Sequence, residues 1–241
     1  MSTKRDYIYS GFRFESEMLP FLIKALSNIF NYNCHLACAS EYIKGYRQID
    51  LMAASISNES NAWSKWFPLA STLRKFPYPR IEELAIIAKN KMITPRALAK
   101  KTWSNYEITK QHLLEYAQCG LVKKVNMQSY EATDWAKESP FYTASIEAKL
   151  KDWSTALDQA LYNKPAVDFS YVALPLSEFR CRSAVLSRFK EKGIGIIGVT
   201  KNGQYELLVQ PRRSPINPIE YMMMTIKIAS ELPLSKKWKR V

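Results

Sequence analysis

From residue 15 to 30 the apolar side chains fall at Leu19, Leu22, Ile23 and Leu26, the spacing of one helix face. The pattern predicts a helix with Pro20 in its first turn, where a missing N–H costs little. Glu15 shares the inward stripe, four residues before Leu19, and Glu17 falls off it. The period then shortens to two. "NCHLACASEYI" and "YRQIDLMAASI" read as strands joined by a turn at Lys44-Gly45. Asp50 lies inside the second strand between Ile49 and Leu51, and a carboxylate buried there has to be paired or hold a metal. Further on, "FYTASIEAKLKDW" reads as a strand. Alternation puts Glu147 and Lys149 on one face and Ile146, Ala148 and Leu150 on the other. "WSTALDQALYNK" is a helix that presents Gln159 and Tyr162 one turn apart. "DFSYVALPL" is a strand, "FRCRSAVLSRFKEKG" a helix, and "GIGIIGVTKNGQYELLVQP" two strands around Asn202-Gly203. A Pro-rich joint, a Met-rich helix with Met222, Met223 and Met224 in its core face, and a basic tail "KKWKRV" complete the chain.

Between the two apolar blocks the pattern changes. "FPYPR" at 76–80 marks a boundary, and from Ile81 the chain reads as three short helices and a small hairpin. "IEELAIIAKN" is the first helix. "TPRALAKKT" is the second, with Thr94 as N-cap and Pro95 at the first position. "NYEITKQHLLEYAQC" follows a "WS" turn and ends at Gly120, and "LVKKVNMQSYEAT" is the hairpin. This order resembles a winged helix-turn-helix, with Leu98, Leu113, Leu114 and "GLV" at 120–122 as its core and Trp103 also expected inside. The resemblance implies DNA contact through Asn105, Tyr106, Thr109, Lys110 and Gln111 on the third helix, flanked by Lys100, Lys101, Lys123 and Lys124. Glu107 and Glu115 lie on the same helix and weigh toward a protein-docking module.

The charge balance agrees with a polyanionic partner: 35 Lys and Arg stand against 22 Asp and Glu, a net +13. No apolar run approaches a membrane span, and the basic start is followed by no apolar stretch, so a cytoplasmic protein without membrane contact is expected. Cys34, Cys38, Cys119 and Cys181 form no Cys-x-x-Cys pair, and with His35 and His112 as the only histidines, reduced thiols are expected rather than a zinc site.

"GIGIIG" at 193–198 matches the dinucleotide fingerprint by letter, but a helix precedes it and a strand follows, the reverse of what that loop requires. Its glycines read instead as a helix cap and close-packed strand positions. The constellation that carries chemistry is Glu15 on the first helix, Asp50 on a strand, Glu147-Ala148-Lys149 on a later strand and Gln159 on the helix after it. In this arrangement the chain resembles the PD-(D/E)XK nuclease superfamily over residues ~10–76 and ~138–210, with "RQID" where the superfamily's name suggests Pro-Asp.

The resemblance implies an α/β fold: a restriction-endonuclease-like mixed central sheet flanked by helices, interrupted by the winged helix-turn-helix insertion. Its domains would be residues 1–77, 78–137 and 138–241. It implies an Mg²⁺-dependent DNA endonuclease, with Mn²⁺ as substitute. Asp50, Glu147, the Ala148 carbonyl and Glu15 would hold the metal, Lys149 would act on the water and Gln159 would assist. Arg180, Arg182 and Arg188 would grip phosphates, and cutting both strands would call for a homodimer. Two alternatives stay open: a DNA-binding regulator or assembly factor whose core has lost activity, and a nuclease for branched DNA or RNA within a repair or mobile-element complex. Either could involve protein partners.

Overall fold

The helix expected over the first apolar stripe forms as α1 (Leu19–Ile29), with Pro20 in its first turn and a 3-10 turn, Glu15–Met18, leading into it. This computed structural model describes residues 11–30, 34–44, 47–57, 62–178, 183–213, 217–232 and 239–240. The Lys44-Gly45 turn, Arg180, Arg182 and Trp238 involve residues outside that set. The strands β1 (Cys34–Lys44) and β2 (Arg47–Ser57) follow α1. Then come the short helices α2 (Ala62–Trp66) and α3 (Ala70–Leu73), and α4 (Tyr78–Lys89), α5 (Pro95–Thr102) and α6 (Tyr106–Gln118). A hairpin of β3 (Val122–Lys124) and β4 (Tyr130–Ala132) precedes β5 (Tyr142–Ala148), α7 (Trp153–Asn163) and β6 (Phe169–Pro175). The last elements are α8 (Ser183–Lys192), β7 (Gly195–Val199), β8 (Tyr205–Val209), α9 (Pro218–Glu231) and β9 (Lys239–Arg240).

The chain divides into two compact units. One takes the described residues up to 55, 143–213 and 239–240; the other takes those in 56–142 and 217–232. The first unit is mixed α/β. Its open sheet has the order β8-β7-β6-β5-β2-β1-β9, with β5, β6 and β7 parallel and β8 and β9 antiparallel to their neighbours. Strand alternation divides its core. Leu51, Ala53, Ala144, Ile146, Ala148 and Ala173 pack with Leu22, Ala25 and Leu26 of α1 on one face. Val172, Leu174 and Ile196 pack with α7 and with Phe189 of α8 on the other.

The glycines of "GIGIIG" have the structural jobs that the sequence suggests. Gly193 (φ +66°) closes α8, its N–H reaching the Lys190 carbonyl at 3.1 Å, and Lys164 Nζ caps the Lys192 carbonyl at 2.6 Å. A Cβ on Gly195 would sit 2.7 Å from Tyr171 Cε1, and one on Gly198 2.5 Å from Leu176 Cδ1.

In the second unit, α4, α5 and α6 pack together with the β3–β4 hairpin, and α9 lies against α3 and α4. Thr94 Oγ1 accepts from the Ala97 N–H, as expected of an N-cap, and Gly120 (φ +72°) follows the end of α6. Leu98, Leu113, Leu121 and Val122 are buried, and so are Met222, Met223 and Met224. Two expectations are corrected. Leu114 is 50% exposed, because Leu113 takes the inward position on α6, and Trp103 is 96% exposed at the left-handed end of α5.

Candidate functional site

Charged side chains from three separate stretches of the sequence, Glu15, Asp50 and the Glu147–Lys149 pair, interact at the carboxyl end of β5. β2 and β5 are neighbours in the sheet, which brings Asp50 beside the end of β5. Its Oδ2 accepts the Ala148 N–H at 2.8 Å. Lys149 follows the last strand residue, and its Nζ donates to Glu15 Oε2 at 3.0 Å. Glu15 is presented by the 3-10 turn ahead of α1 rather than by the helix itself. Glu147 is 1% exposed, on the face opposite Ile146 and Ala148, and its Oε1 accepts from Asn163 Nδ2 of α7 at 2.6 Å.

The electrostatics follow from burial. Desolvation pushes the Asp50 carboxyl above the ordinary carboxylate range. The Ala148 N–H and Lys149 work against that shift, and the charges of Glu15 and Glu41 add to it. Burial also opposes the Lys149 ammonium. The hydrogen bond to Glu15 and the charges of Asp50, Glu15 and Glu147 outweigh it and raise the lysine above its ordinary value. Lys149 is therefore a cation at neutral pH, fit to attract an anion or orient a water rather than to accept a proton.

Gln159, one turn before Asn163 on α7, is not the residue that donates to Glu147. Its Oε1 and Asn163 Oδ1 are buried with no hydrogen-bond donor among the described residues. The residue that meets Glu147 is thus Asn163, which the sequence reading passed over; its place four residues after Gln159 on the same helix face was the available signal. Glu41 was missed too. It is a strand residue of β1 with φ +53°, exposed, whose charge acts on Asp50. Another acid, Asp168, is fully buried and engaged in a structural pair. It accepts from the Thr143 N–H at 2.9 Å, from Arg213 Nε at 3.0 Å and from Arg213 Nη2 at 2.9 Å.

Among the described residues, no three His, Cys, Asp or Glu side chains form a ready metal-holding group. What Asp50 and Glu147 offer is two carboxylates with oxygen donors only. That set suits a hard cation such as Mg²⁺, which takes one or two carboxylates and keeps several waters. The Ala148 amide is committed to Asp50, and Glu15 is committed to Lys149.

In the helical unit the side chains expected to contact DNA divide. Lys100, Lys101, Tyr106, Lys110, Gln111, Lys123 and Lys124 are exposed. Lys123 pairs with Glu131 at 2.7 Å. Asn105 serves as the N-cap of α6, its Oδ1 accepting from the Glu107 and Ile108 N–H groups. Thr109 is a correction: it is fully buried, with its hydroxyl bonded to the Asn105 carbonyl and Ser104, so it lies off the surface. In the sheet unit, the Arg188 guanidinium lies 5.7 Å from the centre of the Trp153 ring. The centre of the helical unit holds a buried polar network. Glu83 accepts from Tyr116 Oη at 2.6 Å and meets His112 Nδ1 at 2.9 Å, and Arg80 bonds Tyr116 and Glu115.

No family model matches the chain, and no curated protein and no solved structure is similar to it. No described helix is long and apolar enough to cross a membrane.

Proposed function

We propose that this protein is a divalent-metal-dependent DNA endonuclease, with a nuclease-like sheet unit and a helical unit that binds DNA as a winged helix. The observation that carries the reading is the convergence at β5. Lys149 binds Glu15, 134 residues away, and Asp50 binds the Ala148 amide across 98 residues, while the charge of the buried Glu147 also acts on Lys149. A sheet needs only apolar side chains to pack, and a cluster of three acids around one lysine costs desolvation that chemistry can justify.

Asp50 and Glu147 would hold Mg²⁺ or Mn²⁺, and the cation when bound would supply charge to neutralise the phosphate and acidify water. The protein's own groups do the rest. Lys149, charged and within reach of the same carboxylates, orients the attacking water and attracts a non-bridging phosphate oxygen. Glu15 holds the ammonium in place. Asn163 fixes one oxygen of Glu147 and so aims the carboxylate. The exposed lysines Lys100, Lys101, Lys110 and Lys124 contribute backbone contacts to DNA, in keeping with the net +13.

A second reading is a DNA-binding regulator with an inert core. It is favoured by the commitment of Glu15 to Lys149 and of Asp50 to the Ala148 amide, contacts that an ordinary structural ion pair also makes. Supercoiled plasmid incubated with Mg²⁺, Mn²⁺ or EDTA separates the two. Nicking or linearisation that appears only with metal supports the nuclease. DNA binding without cleavage under all three conditions supports the regulator.

A further inference from the structure

Trp103 is the anomaly of the helical unit. It ends α5 with φ +53° and ψ +31°, the left-handed region that glycine and asparagine occupy most easily, and its side chain is 96% exposed. A large apolar residue there gains nothing from burial and bears a backbone cost.

The turn that carries it is held firmly. The Ser104 N–H bonds the Ala99 carbonyl at 3.0 Å, Thr102 Oγ1 bonds the Leu98 carbonyl at 3.0 Å, and the hydroxyls of Thr102, Ser104 and Thr109 form a chain. The indole is therefore presented from a fixed base. Its sequence neighbours in the last turn of α5 are Lys100 and Lys101, both exposed, and Tyr106, 44% exposed, opens α6 with Lys110 one turn on. Glu107 is the one acid from Lys100 to Lys110, beside three lysines and two aromatic residues, with Ile108 the one other exposed apolar side chain there.

We infer that Trp103 is a stacking platform for an unpaired nucleobase, so that the helical unit prefers DNA with a frayed or single-stranded flank over intact duplex. The inference rests on the reading of this unit as DNA-binding. Flat aromatic faces set among lysines are the equipment of single-strand recognition, in which bases stack and the backbone is neutralised. An aromatic anchor for a protein partner would instead sit within an apolar, water-excluding rim. An intact duplex offers the indole no free base face without first unstacking a step, whereas an unpaired base is already free.

The test uses the full chain in EDTA, so that no DNA is cut. Fluorescence anisotropy would compare a labelled blunt duplex with the same duplex bearing a single-stranded extension. Trp103→Asn, which suits the left-handed backbone, and Trp103→Phe, which keeps a stacking face, would be measured beside the native protein. The native chain should favour the extended DNA by about 5- to 150-fold, the range of one stacked base. Trp103→Asn should lose that preference while binding blunt duplex as before, with Tm unchanged or raised, and Trp103→Phe should keep most of it. Equal binding of both DNAs by the native chain, or a preference that survives Trp103→Asn, would overturn the inference and assign the indole to a protein surface. A clear fall in Tm for Trp103→Asn would overturn it in favour of a role in folding. No binding of either DNA would refute the DNA-binding reading itself, and the inference with it.

Discussion

Asn163 donates its amide to Glu147 at 2.6 Å, and both side chains are buried, so α7 fixes one oxygen of the acid at the centre of the candidate site. Without this donor a buried carboxylate oxygen loses its hydrogen bond, at a cost of about 1–3 kcal/mol. Asn163→Ala should lower stability by that amount in urea titration. Asn163→Asp should lower it further at neutral pH, because it places two carboxylates side by side.

Asp50 is predicted to trade stability for function. Burial, the largest influence, raises its folded-state pKa above the unfolded value of about 3.9. A raised carboxyl binds its proton more tightly when folded, so the ionised form reduces stability as pH rises from the unfolded value through the folded one. Asp50→Asn should therefore raise Tm at pH 7. The gain should shrink as pH falls below the ordinary carboxylate range, where the native residue is protonated in both states. Thermal melts across roughly pH 3 to 7, the range that brackets carboxylate titration, check this. A Tm gain independent of pH would contradict it.

Gly195 packs against Tyr171, which is 3% exposed and has little room to retreat. Gly195→Ala should destabilise by about 1–3 kcal/mol through overpacking, read as a lower denaturation midpoint. Gly120→Ala meets no neighbour within 4 Å and strains only the backbone at φ +72°, so the pair separates crowding from conformation.

Much of this fold was legible because alternation and helical spacing follow directly from burial. Asp50 and Glu147 stood out as acids among apolar strand neighbours, and the sheet does place Asp50 against the end of β5. Their partners were less visible. Whether Gln159 or Asn163 meets Glu147 depends on the phase of α7 against the sheet, which spacing alone leaves open between two positions on one helix face. Trp103 was misjudged because apolar composition argues for burial. Its exposure comes from the left-handed helix end, a property of the turn rather than of the residue. Thr109 misled in the opposite sense: a small hydroxyl reads as surface, yet it closes hydrogen bonds inside the turn.

If the residues around β5 perform metal-dependent hydrolysis, removing the Lys149 ammonium with Lys149→Ala should stop it. DNA binding and plasmid cleavage would be measured on the same preparation in Mg²⁺, beside the native chain and Asp50→Ala. The native protein should cut, both variants should lose at least about 100-fold in rate, the scale of one electrostatic or acid–base group, and both should bind DNA as the native protein does. Cleavage undiminished in Lys149→Ala would contradict this and return Lys149 and Glu15 to the role of an ordinary ion pair.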